Sequence, residues 1–233
     1  MAGSDVVMIT GASGNLGRAV ASAFAAKGAR LCLVARKLGD VEGYREQGAA
    51  EVLACPADLT EAKAVETAVA GALAHFGRID VLCNIAGGFA MGEPVHETDA
   101  KLWDQMMALN AGSVLRVCHA VVPGMLARKS GRIVNIGAFA ALSGKAQMGA
   151  YIASKAAVIR LTESMAAELR ESGINVNCVL PSIIDTPENR AAMPKANPQK
   201  WVAPEALAEV ILFLASPAAR AIHGAAIPVV GLS

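Results

Sequence analysis

Short runs of β-branched and apolar residues alternate along this chain with longer stretches whose apolar residues recur every three or four positions. The short runs predict strands near 6–10 (VVMIT), 30–35 (RLCLVA), 51–55 (EVLAC), 80–85 (DVLCNI), 132–136 (RIVNI), 174–180 (INVNCVL) and 225–230 (AAIPVV). The longer stretches predict helices near 15–27, 61–76, 99–128, 151–171 and 204–215, with a weaker helix or turn at 40–47. Asp99 and Pro204 are start signals, and Ser216-Pro217 is a stop. Strands alternating with amphipathic helices build βαβ units with right-handed crossovers. The expectation is an α/β single domain over 1–233: a doubly wound, mostly seven-stranded parallel sheet with helices on both faces. One irregular stretch, 181–203, carries Pro181, Pro187, Pro194 and Pro198. It follows the carboxyl end of a strand, where α/β sheets bind ligands, so about 183–203 reads as a lid.

Composition narrows the picture. Of 233 residues, 54% are hydrophobic, 18% charged and only 4% aromatic, so the core must be Ala, Val, Ile, Leu and Met. That suits strands buried on both faces under closely packed helices. Lys and Arg total 21 against 20 Asp and Glu, so no basic excess points to nucleic acid. A mean hydropathy of +0.43 raises the question of a membrane. No uncharged apolar run approaches the ~20 residues of a spanning helix. The start, Met1-Ala-Gly-Ser-Asp5, carries no basic region before an apolar one. The expectation is a soluble cytoplasmic protein with no membrane or nucleic-acid partner. The five cysteines are scattered through apolar stretches, without a CxxC, and the four histidines form no cluster. They read as buried reduced thiols, with no metal site.

The first chemical signal follows the first strand. Thr10-Gly-Ala-Ser-Gly-Asn-Leu-Gly17 runs directly into a predicted helix. Glycines 11, 14 and 17 allow a tight turn, close approach of a pyrophosphate and close packing of the helix. The open helix N-terminus then offers N–H groups to the phosphates. Three glycines alone could serve a structural turn; the strand before them and the helix after them select a Rossmann-type dinucleotide loop. Gly11, Ser13, Gly14, Asn15, Leu16 and Gly17 are therefore cofactor candidates. At the end of the second strand stands Arg36-Lys37, with no acid until Asp40. An acid there would hold the ribose hydroxyls of NAD, whereas two cations suit the 2′-phosphate of NADP. NADP(H) is favoured and NAD(H) remains possible.

The second signal is Tyr151-Ile-Ala-Ser-Lys155, which places a phenol and an ammonium on one helix face. A cation beside a phenol favours the phenolate and would lower its pKa, making Tyr151 a usable acid or base.

Together these motifs resemble the short-chain dehydrogenase/reductase family, in family order and over essentially the whole length. The resemblance implies that Asp58-Leu59 contacts adenine and that Asn84-Ile-Ala86-Gly87 is the NNAG-like element beside the cofactor. It implies further cofactor contacts from Pro181, Ile184 and Thr186, the last near the nicotinamide carboxamide. Asn110 would support a water-mediated proton relay to Lys155, and Lys155 would bind the nicotinamide ribose and depress the pKa of Tyr151. Family members commonly assemble through their two long helices, implying a homo-oligomer, tetramer or dimer.

One departure stands out. The family places a catalytic Ser thirteen residues before the Tyr, and here that position is Ala138; Gly137-Ala138 replaces the common Ser-Ser. Losing one preorganised donor costs ~10²–10³ in rate. Ser143 is a possible substitute, and Pro181-Ser182 stands where Pro-Gly is usual. Ala at this place, the lid Asp185–Pro194 running on to Trp201, and Ala86-Gly-Gly-Phe89 are similar to the dihydropteridine reductase subgroup. That subgroup transfers hydride into a conjugated C=N system, which could dispense with an oxygen-directed donor. Ala138, Phe89, Met148, Asn189, Arg190, Met193 and Trp201 are candidates for lining the pocket of a small-molecule substrate, with Arg190 as a buried guanidinium. The expected function is an NAD(P)(H)-dependent oxidoreductase, favouring NADPH-dependent reduction of C=O or C=N. Its catalytic residues would be Tyr151, Lys155 and Asn110. The alternatives are an NAD-dependent secondary-alcohol dehydrogenase and a catalytically weak dinucleotide sensor.

Overall fold

The structure is a computed structural model that describes residues 5–233. Strands β1 (Val6–Thr10), β2 (Arg30–Ala35), β3 (Glu51–Pro56), β4 (Val81–Asn84), β5 (Gly131–Ile136), β6 (Ile174–Pro181) and β7 (Ala226–Val229) form one sheet. Their order is β3-β2-β1-β4-β5-β6-β7, parallel at every pairing, so the expected seven-stranded doubly wound sheet is present. Helices α1 (Asn15–Ala25), α2 (Gly43–Glu46), α3 (Ala62–Phe76), α4 (Ala100–Met106), α5 (Ser113–Arg128), α6 (Gly149–Leu169), α7 (Pro187–Ala192) and α8 (Pro204–Leu214) complete it.

Strands buried on both faces need no alternation, and every residue of β1 is buried. The pleat still sorts them into two cores. Val6, Met8, Cys32, Leu82, Ile133 and Cys178 face the side covered by α3, α5 and α6. Val7, Ile9, Leu31, Cys83, Val134 and Val179 face the side covered by α1 and α8. Helix starts follow local chemistry. The Asp99 carboxylate accepts from the Lys101 N–H at the head of α4, and Pro204 occupies the first turn of α8, where no N–H is needed. All five cysteines are buried and free.

Two elements differ from the sequence expectation. The helix expected at 99–128 is broken by a π-helical segment, Met107–Gly112, between α4 and α5. The wider turn rotates Asn110 and Ala111 into the interior, and a three-to-four apolar period does not reveal it. The stretch Ala100–Arg128 is also long and apolar enough to cross a membrane by length and mean hydropathy (1.2), although no uncharged run signalled it; 44% of that window is buried in this fold. The second difference is in the lid, which is not wholly irregular. Thr186 caps α7 by accepting from the Asn189 N–H, and Pro187 opens the helix.

A buried polar chain ties the centre of the sheet to α6. Asn84 Nδ2 donates to Asn135 Oδ1 (2.9 Å), Asn135 Nδ2 to Thr162 Oγ1 (2.9 Å), and Thr162 Oγ1 to the Val158 carbonyl (2.8 Å). Asn135→Ala would remove the acceptor of the buried Asn84 amide. We expect a loss of about 2–3 kcal/mol in stability, read from urea unfolding midpoints at unchanged slope.

Candidate active site

At the carboxyl edge of the sheet, β1 and β4 lie side by side while their following loops diverge. Thr10 Oγ1 closes this gap by accepting from the N–H groups of Ile85 (3.0 Å) and Ala86 (3.2 Å). Gly11 then turns at φ +64, where a Cβ would lie 2.8 Å from the backbone of Ala86. A Cβ on Gly17 would collide with the Gly11 carbonyl and with Ala12. Gly14 is different: a Cβ there meets only the Gly11 carbonyl at 3.4 Å, an ordinary contact. The fold needs glycine at 11 and 17, but at 14 it leaves open space in front of α1. No side chain caps α1 and no acid stands in its first turn, so its N-terminal N–H groups face the opening.

That opening is a cleft of about 930 Å³. Gly11, Ser13, Gly14, Asn15, Leu16, Gly17, Arg36, Lys37, Asp58, Leu59, Ala86, Gly87, Ile184 and Thr186, all cofactor candidates by sequence, line it. Its volume and the bare helix end in its wall fit a dinucleotide with its pyrophosphate at α1. Arg36 and Lys37 are exposed at one end. Asp58 accepts from the Thr60 hydroxyl (2.7 Å) and N–H (2.9 Å); these bonds, and then the Arg36 charge, hold its carboxyl below the usual carboxylate range. Asp40 accepts from the Glu42 N–H (2.9 Å) and is thereby engaged with its own turn.

The other end of the cleft reaches Gly87, behind which lie the catalytic candidates. A Cβ on Gly87 would stand 2.8 Å from Asn110 Oδ1 and 3.0 Å from Lys155 Nζ, so glycine makes room for both. Lys155 is 5% exposed and donates to the Ile136 carbonyl at 2.8 Å. Burial of its charge lowers its pKa to about 8. Tyr151, one turn earlier on α6, is pushed up to about 12 by burial. The shift runs opposite to the lowering expected from Lys155, and burial is its cause; the ammonium is bonded to Ile136. Among the described residues no group hydrogen-bonds the Tyr151 hydroxyl, which leaves it open to a ligand. Asn110 is 1% exposed; Oδ1 accepts from the Gly88 N–H (2.9 Å), and Nδ2 donates to the Gly88 carbonyl (3.1 Å) and to Ser154 Oγ (2.9 Å). Ser154 Oγ in turn donates to the Tyr151 carbonyl (2.7 Å).

Several expected site residues lie elsewhere. The Asn84 amide turns into the core toward Asn135, so it does not line the cleft, and neither does Pro181 at the buried end of β6. Arg190 is not a buried guanidinium. It pairs with Asp185 through two bonds (2.6 and 2.7 Å), is 60% exposed, and faces an outer groove between α1 and α8. The Asn189 amide is spent on the Ile184 carbonyl (2.8 Å), and Trp201 is buried at the end of the lid, outside the cleft lining. Asn15 reaches across to the lid, donating to Glu188 Oε2 at 2.8 Å. Ala138 is buried at the place of the usual Ser, and Ser143 is exposed. A Cβ on Gly137 would press on the side chains of Leu180 and Cys178, which would have to shift to admit it. Met148 is half-buried just before α6, Met193 half-buried just after α7, and Phe89 stands against Tyr151. The sequence reading missed Thr10, Thr60, Gln105, Leu109 and Ser154. Thr10 at the strand end and Ser154 inside the Tyr–Lys turn were signalled by position alone.

Similarity to known proteins agrees with this geometry. The family profile described as short chain dehydrogenase matches residues 5–197. The chain is 35% identical to 2-(S)-hydroxypropyl-CoM dehydrogenase 3 of Xanthobacter autotrophicus, over 98% of this chain and 96% of that protein. It is also 35% identical to D-threitol dehydrogenase of Mycolicibacterium smegmatis, over 94% and 89%. Among solved structures, NAD+-bound xylitol dehydrogenase superposes with a TM-score of 0.89 at 27% identity, covering 97% of this chain and 98% of that one.

Two predictions follow from the glycines and the lysine. Gly14→Ala is expected to keep its Tm within about 1–2 °C while dinucleotide Kd rises about tenfold or more, measured by fluorescence titration; Gly17→Ala should instead lose stability. The second concerns pH. Lys155 binds a ligand phosphate or hydroxyl best when charged, and it loses its proton near pH 8. The kcat/KM for the dinucleotide reports the free enzyme. It is therefore expected to fall as pH rises through about 8, a limb that Lys155→Met should abolish.

Proposed function

The chain belongs to the short chain dehydrogenase family and is an oxidoreductase of the nicotinamide-dinucleotide type; from that premise we propose that it is an NADPH-preferring reductase of a C=O or conjugated C=N carbon. The observation that carries it is the pair of exposed cations, Arg36 and Lys37, in the lining of the cleft. Burial pushes the Tyr151 phenol up to about 12, so the proton that a reduction consumes is in place, and in an oxidation the same group would take it back. Among the described residues no acceptor competes for the proton of the Tyr151 hydroxyl.

When bound, the reduced nicotinamide supplies a hydride, two electrons with the hydrogen nucleus, to the substrate carbon. Tyr151 gives its proton to the oxygen or nitrogen that gains the electron pair. Lys155 spends one N–H on the Ile136 carbonyl and keeps two for the nicotinamide ribose. In that position its charge would also stabilise the phenolate once the proton has left. Asn110 holds the loop at Gly88, with its carboxamide committed on both atoms, so its part is positioning more than relay. Arg36 and Lys37 support NADP(H): both are exposed in the cleft, and the nearest downstream acid, Asp40, is engaged elsewhere. Ala138 supports a substrate that does without a second oxygen-directed donor, which the C=N reading satisfies.

A second reading is an NAD-dependent secondary-alcohol dehydrogenase. Its support is that relatives are named as dehydrogenases and that the superposing xylitol dehydrogenase holds NAD+. The two readings part on binding and on the proton. Arg36→Ser should raise the NADPH Kd about tenfold and leave the NADH Kd within about twofold; equal affinities in the unmodified protein would favour the second reading. Tyr151→Phe should slow single-turnover NADPH oxidation by about 10²–10⁴ with NADPH binding intact. Unchanged hydride transfer to a confirmed substrate would overturn the role of the tyrosine.

A further inference from the structure

Phe89 has a place in the structure that hydride transfer does not account for. It is 59% exposed, yet its ring meets that of Tyr151 edge-on, with centroids 4.9 Å apart at 75°. The preceding residue is held on both its polar backbone atoms: the Gly88 N–H and carbonyl each bond to the Asn110 carboxamide. Asn110 is bonded to Ser154, and Ser154 to the carbonyl of Tyr151. Loop and phenol are thus set against each other by one circuit of side-chain bonds. A water-facing aromatic ring gains nothing for the folded chain from such fixing; a ligand seated on it would.

The neighbouring surface is of the same kind. Met91 is 57% and Val95 72% exposed on the same loop. The loop lies over the start of α6: the Gly92 N–H donates to the Gln147 carbonyl (3.0 Å), and a Cβ on Gly149 would be 2.7 Å from Val95 Cγ2. Single exposed apolar residues are ordinary, but a group of them fixed beside a reactive hydroxyl is not. No cation points at this ring from the lid or the cofactor loop: Arg190 and Asp185 satisfy each other on the outer side of the lid, and Arg36 and Lys37 stand at the far end of the cleft, while on the loop itself the charged groups are Glu93 and the paired His96 and Glu97.

We propose that Phe89 is a specificity-determining residue that, with Met91 and Val95, selects substrates whose reacting carbon is part of or attached to an uncharged aromatic or alicyclic ring. The inference rests on the reductase reading of Tyr151 and names the substrate class of that site. The ring of the substrate covers Phe89 and removes apolar surface from water. A polyol seated against Phe89, Met91 and Val95 would give up water around its hydroxyls to apolar surface, which such a rim disfavours.

The test uses the full chain with NADPH and two probes, tetralone as a ring ketone and erythrulose as a polyhydroxylated one. The expected result is a kcat/KM at least about 100-fold higher for tetralone. Phe89→Ser should raise the KM for tetralone about tenfold, with kcat within about threefold and NADPH Kd unchanged, and Phe89→Leu should restore most of the loss. Equal turnover of erythrulose, or a tetralone KM indifferent to Phe89→Ser, would overturn the proposal. Should neither ketone be reduced, tetralone binding to the NADPH complex is measured directly by calorimetry. Binding weakened about tenfold by Phe89→Ser supports the selective rim and counts against the reductase reading alone, whereas no binding overturns the rim itself.

Discussion

Everything at the active edge depends on the parting of two neighbouring strands. β1 and β4 pair along their length, and after Thr10 and Asn84 their chains must separate to make a cleft. Separation strands backbone N–H groups, and an unpaired buried N–H is costly. The Thr10 hydroxyl accepts two of them, from Ile85 and Ala86. This lets the glycine loop turn one way and the Ala86–Gly88 loop the other without loss. Gly11 fits against Ala86 because it has no side chain, so the walls of the cleft can start at van der Waals contact.

The chemistry at the inner end follows from burial. Lys155 sits with a single carbonyl partner in a site that penalises its charge, and Tyr151 sits in one that penalises the phenolate. Burial penalises both ionised forms, but unequally: a lysine near 8 is still mostly charged at neutral pH, while a phenol near 12 is neutral, so cation and proton donor stand together on one helix. The buried Asn84–Asn135–Thr162 chain keeps α6, which carries both groups, in fixed relation to the sheet.

The lid shows how local chemistry and tertiary contacts divide the labour. Thr186 and Pro187 start a short helix by capping rules alone. Its placement over the glycine loop is set by Asn15 reaching to Glu188, while Arg190 closes on Asp185 within the lid itself. An arginine in a lid was a reasonable candidate for substrate binding. An available carboxylate five residues earlier, just before the cap of α7, decided otherwise.

The alternation of apolar runs and amphipathic stretches determined the α/β sheet, and the glycine spacing, Arg36-Lys37 and Tyr151-Lys155 singled out residues that the fold gathers at and behind one cleft. These were legible because period, turn chemistry and i, i+4 geometry act within a few residues of each other. The π segment, the inward turn of Asn84, the outward pairing of Arg190 and the raised pKa of Tyr151 were not. Each depends on which distant group comes to lie alongside: Gly88 for Asn110, Asn135 for Asn84, Ile136 for Lys155. Phe89 is a mixed case: the resemblance of Ala86-Gly-Gly-Phe89 marked it as a pocket candidate, but only the fold sets its ring against Tyr151. Hydrogen bonding and desolvation are decided by neighbours in space, and a chain specifies those only once its sheet has formed.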